Sequence, residues 1–105
     1  LFSAHAVPQP DIVLTSEPRG DGPIPIASVA LLVEVSASTL NDDLGRKATL
    51  YALAGVPEYW VADVEGKVIH QMWAPEGEAY AQACEVAFGE RIEAATVAGL
   101  VVETV

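Results

Sequence analysis

A nearly continuous apolar run from Ala27 to Val35 limits the possible folds of this chain more than any other feature. Its aliphatic and β-branched side chains lack the polar alternation of a half-exposed strand, and they predict a central strand covered on both faces. Glu34 is the only charged residue in the run. Because such a strand needs a packed layer on each side, we expect a mixed α/β domain.

A single helix is predicted after this strand, from about Leu40 to Ala54, and both of its ends are marked in the sequence. Apolar residues recur at helical spacing within it and form one stripe. The stripe consists of Leu40, Leu44, Ala48 and Tyr51. Hydroxyl residues before the helix can cap it, Gly55 suits a left-handed C-cap, and Pro57 stops any continuation.

Short segments rich in β-branched and aromatic residues predict the other strands. One strand precedes the apolar run, at 12–14, and four follow the helix, near 58–62, 68–73, 80–87 and 91–93. A turn at 63–67 joins two of them, a break is expected at 74–78, and the apolar tail has a kink at Gly99. This order predicts a mixed central sheet with a covering helix and a carboxyl-terminal β-hairpin.

The length and the cysteine count restrict the class of protein. The 105 residues fit one domain that spans 1–105, and no apolar stretch is long enough to cross a membrane. The single cysteine, Cys84, cannot form an internal disulfide, so we expect a cytoplasmic protein. The chain begins with Leu1 inside what reads as an extended segment, and we expect it to lack an amino-terminal part of the domain.

The charge balance restricts the partners that this chain can bind. Five Lys and Arg residues stand against 15 Asp and Glu residues, which gives a formal net charge of -10. This balance argues against a protein whose main task is to coat a polyphosphate. Any affinity for DNA is therefore expected to be weak and to fall steeply with salt.

Glu34 is the residue whose position most needs a physical reason, because an ionised carboxylate in an apolar strand is costly unless it is paired or bound to a metal. Asp11 begins a strand that is expected to pair with the Glu34 strand. Neighbouring strands lie about 4.8 Å apart, so two carboxylates on one face can converge on a hard cation such as Mg²⁺ or Mn²⁺. Asp11 and Glu34 are therefore candidate metal ligands.

Lys47 supplies a third candidate group. It lies four residues after Asp43 on one face of the predicted helix, so Asp43 can hold its ammonium over the strand ends. Tyr51 lies on the same side of the helix and could contact a phosphate, although core packing is the simpler role. Two carboxylates and one lysine form the minimal set for metal-assisted phosphodiester hydrolysis, in which the ammonium orients the attacking water or stabilises developing charge.

Each candidate also has a structural interpretation. Asp11 follows a proline and is typical of a turn. Glu34 could face solvent, or it could form a structural ion pair with Arg46 or Lys47. An ordinary ion pair with Asp43 would account for Lys47.

A hydrolase of another class is a further alternative. Ser36 or Ser38 could serve as the nucleophile of an acyl hydrolase with His70 as the base. No nucleophile elbow supports this interpretation, and helix capping is the simpler role for the serines.

Four segments of the chain carry a resemblance to a known family. They are Pro10–Val13, Val33–Thr39, Asp43–Lys47 and Tyr51–Asp63. The run GRKATLYALAGVPEYWVAD, at 45–63, is the most specific part. Together the segments resemble the Uma-two family of putative restriction endonucleases, from about Pro8 to the carboxyl end.

The resemblance implies a restriction-endonuclease-like fold of the PD-(D/E)XK type, with Mg²⁺ held by Asp11 and Glu34. A standard E-X-K tripeptide would place lysine at Ser36, and in this chain Lys47 on the helix takes that role. The expected function is Mg²⁺-dependent hydrolysis of DNA. The alternative is a catalytically silent domain of the same fold that acts as an assembly or interaction module. The apolar strands near 97–105, and any edge left open by a missing amino-terminal part, would favour a homodimer.

Overall fold

The computed structural model describes residues 12–15, 28–37 and 40–103. Seven strands and two helices follow one another in this part of the chain. They are β1 (Ile12–Thr15), β2 (Val29–Ser36), α1 (Leu40–Leu44), α2 (Arg46–Leu53), β3 (Glu58–Asp63), β4 (Val68–Glu76), β5 (Ala79–Ala87), β6 (Arg91–Glu93) and β7 (Val101–Glu103). Neither of these helices is long and apolar enough to span a membrane.

Five strands form one mixed sheet in the order β1-β2-β3-β4-β5. β2 and β3 are parallel, and the other neighbours are antiparallel. A parallel pair needs a long crossover connection, which α1 and α2 supply. β6 and β7 pair separately as an antiparallel hairpin. The predicted mixed sheet with a covering helix and a carboxyl-terminal hairpin is thus confirmed.

The sheet carries a hydrophobic core on each face. The core on the helix side consists of Val29, Leu32, Ala48, Tyr51, Val56, Tyr59 and Val61. The core on the other side consists of Leu31, Trp60, Ile69 and Ile92, the last of these from β6. Adjacent residues of β2 and of β3 enter opposite cores, because side chains alternate between the faces of a strand. The prediction of a central strand covered on both faces is confirmed.

The predicted helix forms, but Gly45 divides it into α1 and α2. Gly45 has a φ of -100° and a ψ of -92°, outside the helical region. Its N–H still bonds to the Asn41 carbonyl at 2.9 Å, and its own carbonyl accepts the Thr49 N–H at 3.0 Å. A Cβ at position 45 would lie 2.8 Å from the Asn41 carbonyl oxygen, so the break depends on glycine. The stripe spacing alone does not reveal this distortion.

The carboxyl end of α2 follows the sequence prediction. Gly55 has a φ of 79°, the left-handed conformation that glycine adopts without strain. Its N–H bonds to the Ala52 carbonyl at 3.0 Å, and the Val56 N–H bonds to the Tyr51 carbonyl at 3.1 Å. These two bonds form a Schellman motif, which satisfies carbonyls that the helix end would otherwise leave unpaired.

The predicted break at 74–78 is wrong in extent. β4 continues to Glu76, and its ladder with β5 includes the pairs of Pro75 with Tyr80 and of Glu76 with Ala79. The reversal takes only Gly77 and one further residue, with Gly77 at a φ of 62°. A two-residue hairpin of this kind needs a positive φ, and glycine provides it, so the strands pair up to the turn.

Candidate active site

Glu34 is buried in β2, on the face that the helices cover. It alternates with Leu32 of the helix-side core, and only 2% of its surface is exposed. Its Oε2 accepts a hydrogen bond from the Lys47 ammonium at 3.0 Å. The carboxylate that is out of place in an apolar strand is therefore buried and ion-paired.

Lys47 joins Glu34 to a second buried carboxylate. Its Nζ lies 2.8 Å from Asp43 Oδ1, and Asp43 is 1% exposed. We call these residues the Glu34–Lys47–Asp43 cluster. The structure thus brings together three of the residues that the sequence selects, whereas Asp11 lies outside the described residues.

The two carboxylates of this cluster keep Lys47 protonated. Burial alone would lower the pKa of Lys47, but hydrogen bonds to Asp43 and Glu34, together with their negative charges, raise it well above its usual value. An ammonium donates hydrogen bonds and cannot take up a proton, so Lys47 does not act as a general base. Counted over these three residues alone, the carboxylates exceed the ammonium by one negative charge, and a negative excess attracts cations.

Tyrosine side chains fix α1 on the sheet next to the cluster. Tyr59 donates its hydroxyl to the backbone carbonyl of Asp43 at 2.9 Å. Burial, followed by the charges of Glu34 and Asp43, raises the pKa of Tyr59, so this hydroxyl remains a neutral donor. The ring of Tyr51 meets that of Tyr59 edge to face, with the centroids 4.9 Å apart. Tyr51 is fully buried in the helix-side core, in keeping with a packing role.

The basic residue next to Lys47 has a different partner. Arg46 donates from Nε to Asp42 Oδ1 at 2.9 Å and from Nη2 to Asp42 Oδ2 at 3.1 Å. The Arg46 side chain is 70% exposed, and exposed pairs contribute little to stability. α2 therefore directs Lys47, and not Arg46, at Glu34.

Ser36 ends β2, two residues after Glu34 and on the same face. It is 1% exposed, and its Oγ has no hydrogen-bond partner among the described residues, so its interpretation as a helix cap is wrong. Its register partner on β3 is Asp63, whose Oδ1 accepts the Gly66 N–H at 3.0 Å.

An open cleft lies where β2 and β3 end. Its lining consists of Ala37, Leu40, Asn41, Asp42, Asp63, Glu65 and Gly66.

The described residues supply suitable donor atoms for a hard cation, without a full ligand set. In the described ranges, no three side chains of His, Cys, Asp or Glu are grouped so that they could hold a metal ion. Glu34 and Asp43 offer carboxylate oxygens, which Mg²⁺ and Mn²⁺ prefer, and both also contact Lys47. The donor chemistry fits such a cation, and at least one further oxygen ligand is required.

Comparison with known proteins identifies the family. Residues 1–104 match Uma2, which is described as a putative restriction endonuclease. The chain belongs to the Uma2 family. This membership confirms the Uma-two resemblance and supports a nuclease-like role. No curated protein and no solved structure matches the chain.

The architecture of this Uma2 chain agrees with the expected fold. Its mixed sheet, the helices that pack on one face and the hairpin at the carboxyl end are consistent with a restriction-endonuclease-like fold. The residues of the specific run at 45–63 form α2, its cap and β3. This segment contains Lys47 and the strand next to Glu34, so the family signal and the cluster coincide.

Besides Glu34 and Asp43, the Uma2 chain buries a further carboxylate, that of Glu58, which the sequence does not single out. Glu58 is fully buried in β3, on the side of Trp60 and the hairpin. Its Oε2 accepts hydrogen bonds from Trp60 Nε1 at 2.7 Å, Gln71 Nε2 at 2.8 Å and the Ala95 N–H at 3.0 Å. Its Oε1 accepts the Thr96 N–H at 2.9 Å and Thr96 Oγ1 at 2.8 Å. Through these bonds Glu58 attaches Ala95 and Thr96, which follow β6, to the sheet.

Among the described residues, the arrangement that an acyl hydrolase would need is not formed. His70 lies on β4 opposite Val61, which separates it from the Glu34 strand. Its Nδ1 lies 3.5 Å from Glu85 Oε1, and neither Ser36 Oγ nor His70 Nε2 has a hydrogen-bond partner among the described residues. Ser38 lies outside the described residues.

Proposed function

We propose that this Uma2 chain is an endonuclease that hydrolyses phosphodiester bonds in DNA with Mg²⁺ or Mn²⁺. The observation that carries the proposal is the position of the Lys47 ammonium between the buried carboxylates of Glu34 and Asp43. This arrangement combines an oxygen ligand for a cation with a donor for developing negative charge. The nuclease-like role of the family agrees with it.

Glu34 and Asp11 would hold the cation. The register of β1 on β2 supports this assignment, because Ile12 pairs with Val33. Asp11 precedes Ile12 in the sequence and Glu34 follows Val33, so the assignment requires only that the antiparallel ladder extend by one pair. When bound, a divalent cation polarises a phosphoryl oxygen and lowers the pKa of a bound water.

Lys47 and Asp43 have different roles in this proposal. Lys47 is permanently charged, so it donates a hydrogen bond to the attacking water or to the phosphoryl oxygens as negative charge builds up. Asp43 is a positioning residue, because its carboxylate fixes the lysine at 2.8 Å and its carbonyl binds Tyr59. Tyr51 supports the same region by packing.

The charge of the chain sets the conditions for this activity. With a net charge of -10, binding to DNA is weak and depends on the metal and on low salt. We place the activity in the reducing cytoplasm, because Cys84 is the only cysteine and is exposed.

Cleavage of supercoiled plasmid DNA at low salt tests the proposal. We expect the wild type to nick and then linearise the plasmid with Mg²⁺ or Mn²⁺, and we expect a chelator to stop the reaction. Lys47→Met should lower the rate by about a hundredfold. Lys67→Met is the matched control, because it removes an exposed lysine in the turn between β3 and β4. Equal rates for both variants, or no metal-dependent cleavage by the wild type, would refute the proposal.

A second candidate function is assembly, which the outer edge of β5 favours. In the described part of the chain β5 pairs only with β4, and most of its residues are exposed. Proteins usually block such edges with lysine or proline, and the segment Ala79–Ala87 contains neither. Glu85 is its only charge on a strongly acidic chain, so a second copy meets little repulsion at this edge. We propose antiparallel pairing of β5 with the β5 of a second copy.

The mass in solution tests this pairing independently of any nuclease activity. Light scattering should give twice the mass of one chain for the wild type. Ala83→Lys should give a monomer, because Ala83 is the central residue of β5 and two lysines would oppose each other near the two-fold axis. Ala98→Lys places the same charge in an exposed loop and should leave the dimer intact. A monomeric wild type would exclude this candidate function.

A further inference from the structure

Ser36 carries a buried hydroxyl that the Glu34–Lys47–Asp43 cluster does not use. The residue is 1% exposed, and its Oγ has no hydrogen-bond partner in the described part of the chain. A buried hydroxyl without a partner destabilises a fold, because nothing compensates for the lost contact with water. Alanine would avoid this penalty, so the hydroxyl needs a reason other than packing.

The position of Ser36 relates this hydroxyl to Glu34. Both residues belong to β2, they are two positions apart, and both are buried on the helix side. Alternate residues of a strand lie about 7 Å apart, a distance that a glutamate side chain and a bound ion can span together. Ser36 also ends one strand of the parallel pair β2 and β3, and ligands of α/β sheets bind at the carboxyl ends of such strands.

The charges around Ser36 indicate the class of ligand. The Lys47 ammonium contacts two carboxylates, those of Glu34 and Asp43. Asp63 is the register partner of Ser36 and lines the acidic cleft beside it. These surroundings repel anions and attract cations. A hydroxyl oxygen is a hard, neutral ligand of the kind that divalent cations accept alongside carboxylates.

We infer that the Ser36 hydroxyl oxygen is a ligand of the divalent cation held by Glu34. The inference rests on the proposed function, which supplies that cation. It gives the buried hydroxyl a partner in the loaded site, and it adds an oxygen donor to a carboxylate set that is incomplete among the described residues.

Calorimetric titration of the whole chain with Mn²⁺ tests this role without measuring cleavage. We expect Ser36→Thr, which keeps the hydroxyl, to bind Mn²⁺ much as the wild type does. Ser36→Ala should bind it roughly tenfold more weakly. In the absence of metal, Ser36→Ala should also unfold at a higher urea concentration than the wild type, because it removes the unpartnered hydroxyl. A serine that only packs would not produce this opposite pair of effects.

A change of ligand atom makes the test specific. Sulfur is a poor ligand for Mn²⁺ and a good one for Cd²⁺. Ser36→Cys, combined with Cys84→Ala to remove the native thiol, should therefore lose Mn²⁺ affinity and gain Cd²⁺ affinity. Cys84→Ala alone is the matched control and should retain the metal preference of the wild type.

The possible failures are distinguishable. Equal Mn²⁺ affinity for the wild type and Ser36→Ala, or no gain in Cd²⁺ affinity for Ser36→Cys, would overturn the role of Ser36 and leave a metal centre at Glu34. A wild type that binds no Mn²⁺ would overturn the metal centre of the proposed function, and the role of Ser36 with it.

Discussion

Glu34→Gln is expected to lower Mg²⁺-dependent cleavage of plasmid DNA by at least about a hundredfold while the chain stays folded. The amide keeps the size of the side chain and an oxygen that can accept a hydrogen bond from Lys47, whose Nζ lies 3.0 Å from Glu34 Oε2 in the wild type. It removes the negative charge that a divalent cation needs. Lys47 retains its contact with Asp43 at 2.8 Å, so the buried ammonium is not left unpaired.

Glu76→Gln is the control for this prediction. It also replaces a carboxylate by an amide, at an exposed position next to the β4–β5 turn and outside the cleft, and it should cleave at the wild-type rate. Urea unfolding of both variants checks that the fold is intact. If Glu34→Gln is folded and cleaves as fast as the wild type, then the ion pair with Lys47 is purely structural, and Glu34 is not a metal ligand.

Glu34→Gln also distinguishes a structural role of the buried Glu34–Lys47 ion pair from a catalytic one. A buried carboxylate next to a lysine is compatible with a structural role, since breaking such a pair is strongly destabilising whether or not it has a function. Geometry alone shows that Glu34 and Lys47 contact each other. A variant that keeps the hydrogen bond and removes the charge changes catalysis without breaking the contact, so it tests the function directly.

The fold could be predicted wherever an element carries its own local signal. Helical spacing and the Gly55 cap mark α2, and the uninterrupted apolar run marks β2. The structure differs from the sequence prediction where a backbone distortion does not change the spacing of apolar residues, or where a residue that usually ends a strand pairs within it. Gly45 interrupts the helix within a stripe that remains periodic, and Pro75 looks like a breaker although it pairs within the ladder.

The site could be predicted in part for the same reason. Asp43 and Lys47 are four residues apart on helical residues, so their contact follows from local spacing. The contact between Glu34 and Lys47 spans 13 positions, and it could be expected only because an unpaired charge in an apolar strand is unfavourable. The unpartnered hydroxyl of Ser36 has no signal in the sequence, because burial and hydrogen bonding depend on the packed helices.

Glu58 shows the limit of local reasoning. It is also a carboxylate in an apolar segment, yet the groups that satisfy it include Ala95 and Thr96, 37 and 38 positions later in the chain. No local pattern links these positions. The apolar residues around Glu58 could have indicated that its carboxylate is buried, but only the structure shows that protein donors occupy its oxygens.

Glu58→Gln is expected to lower the free energy of unfolding by about 2–4 kcal/mol, a large share of the 5–15 kcal/mol that stabilises a typical domain. All five hydrogen bonds to Glu58 come from donors, three to Oε2 and two to Oε1. An amide has only one acceptor oxygen. Its NH₂ group must therefore replace either Oε1 or Oε2 and face the donors that bind that oxygen in the wild type. Urea unfolding measures the loss, and faster hydrogen exchange at Ala95 and Thr96 would show that the hairpin segment detaches first.

The stability difference between the wild type and Glu58→Gln should depend on pH. Burial alone would raise the pKa of Glu58, but hydrogen bonds from the Ala95 N–H, Trp60 and Gln71 lower it below its usual value. A carboxyl whose pKa is lower in the folded state than in the unfolded state stabilises the fold above the unfolded pKa, and this contribution is lost as the pH falls. The difference between the two proteins should therefore be largest at neutral pH and should shrink below about pH 4.

Glu76→Ala is the control, because it removes an exposed glutamate next to the β4–β5 turn and should change stability by less than about 0.5 kcal/mol. A difference between the wild type and Glu58→Gln that stays constant down to low pH would show that shape, and not charge, accounts for the effect.

Glu58 lies on the opposite side of the sheet from the helix-side core. Glu58→Gln should therefore leave Mn²⁺ binding at Glu34 unchanged while the protein remains folded. Stability and metal binding would then respond to separate carboxylates of the same sheet, which is why a carboxylate in an apolar strand indicates a site only after its partners are known.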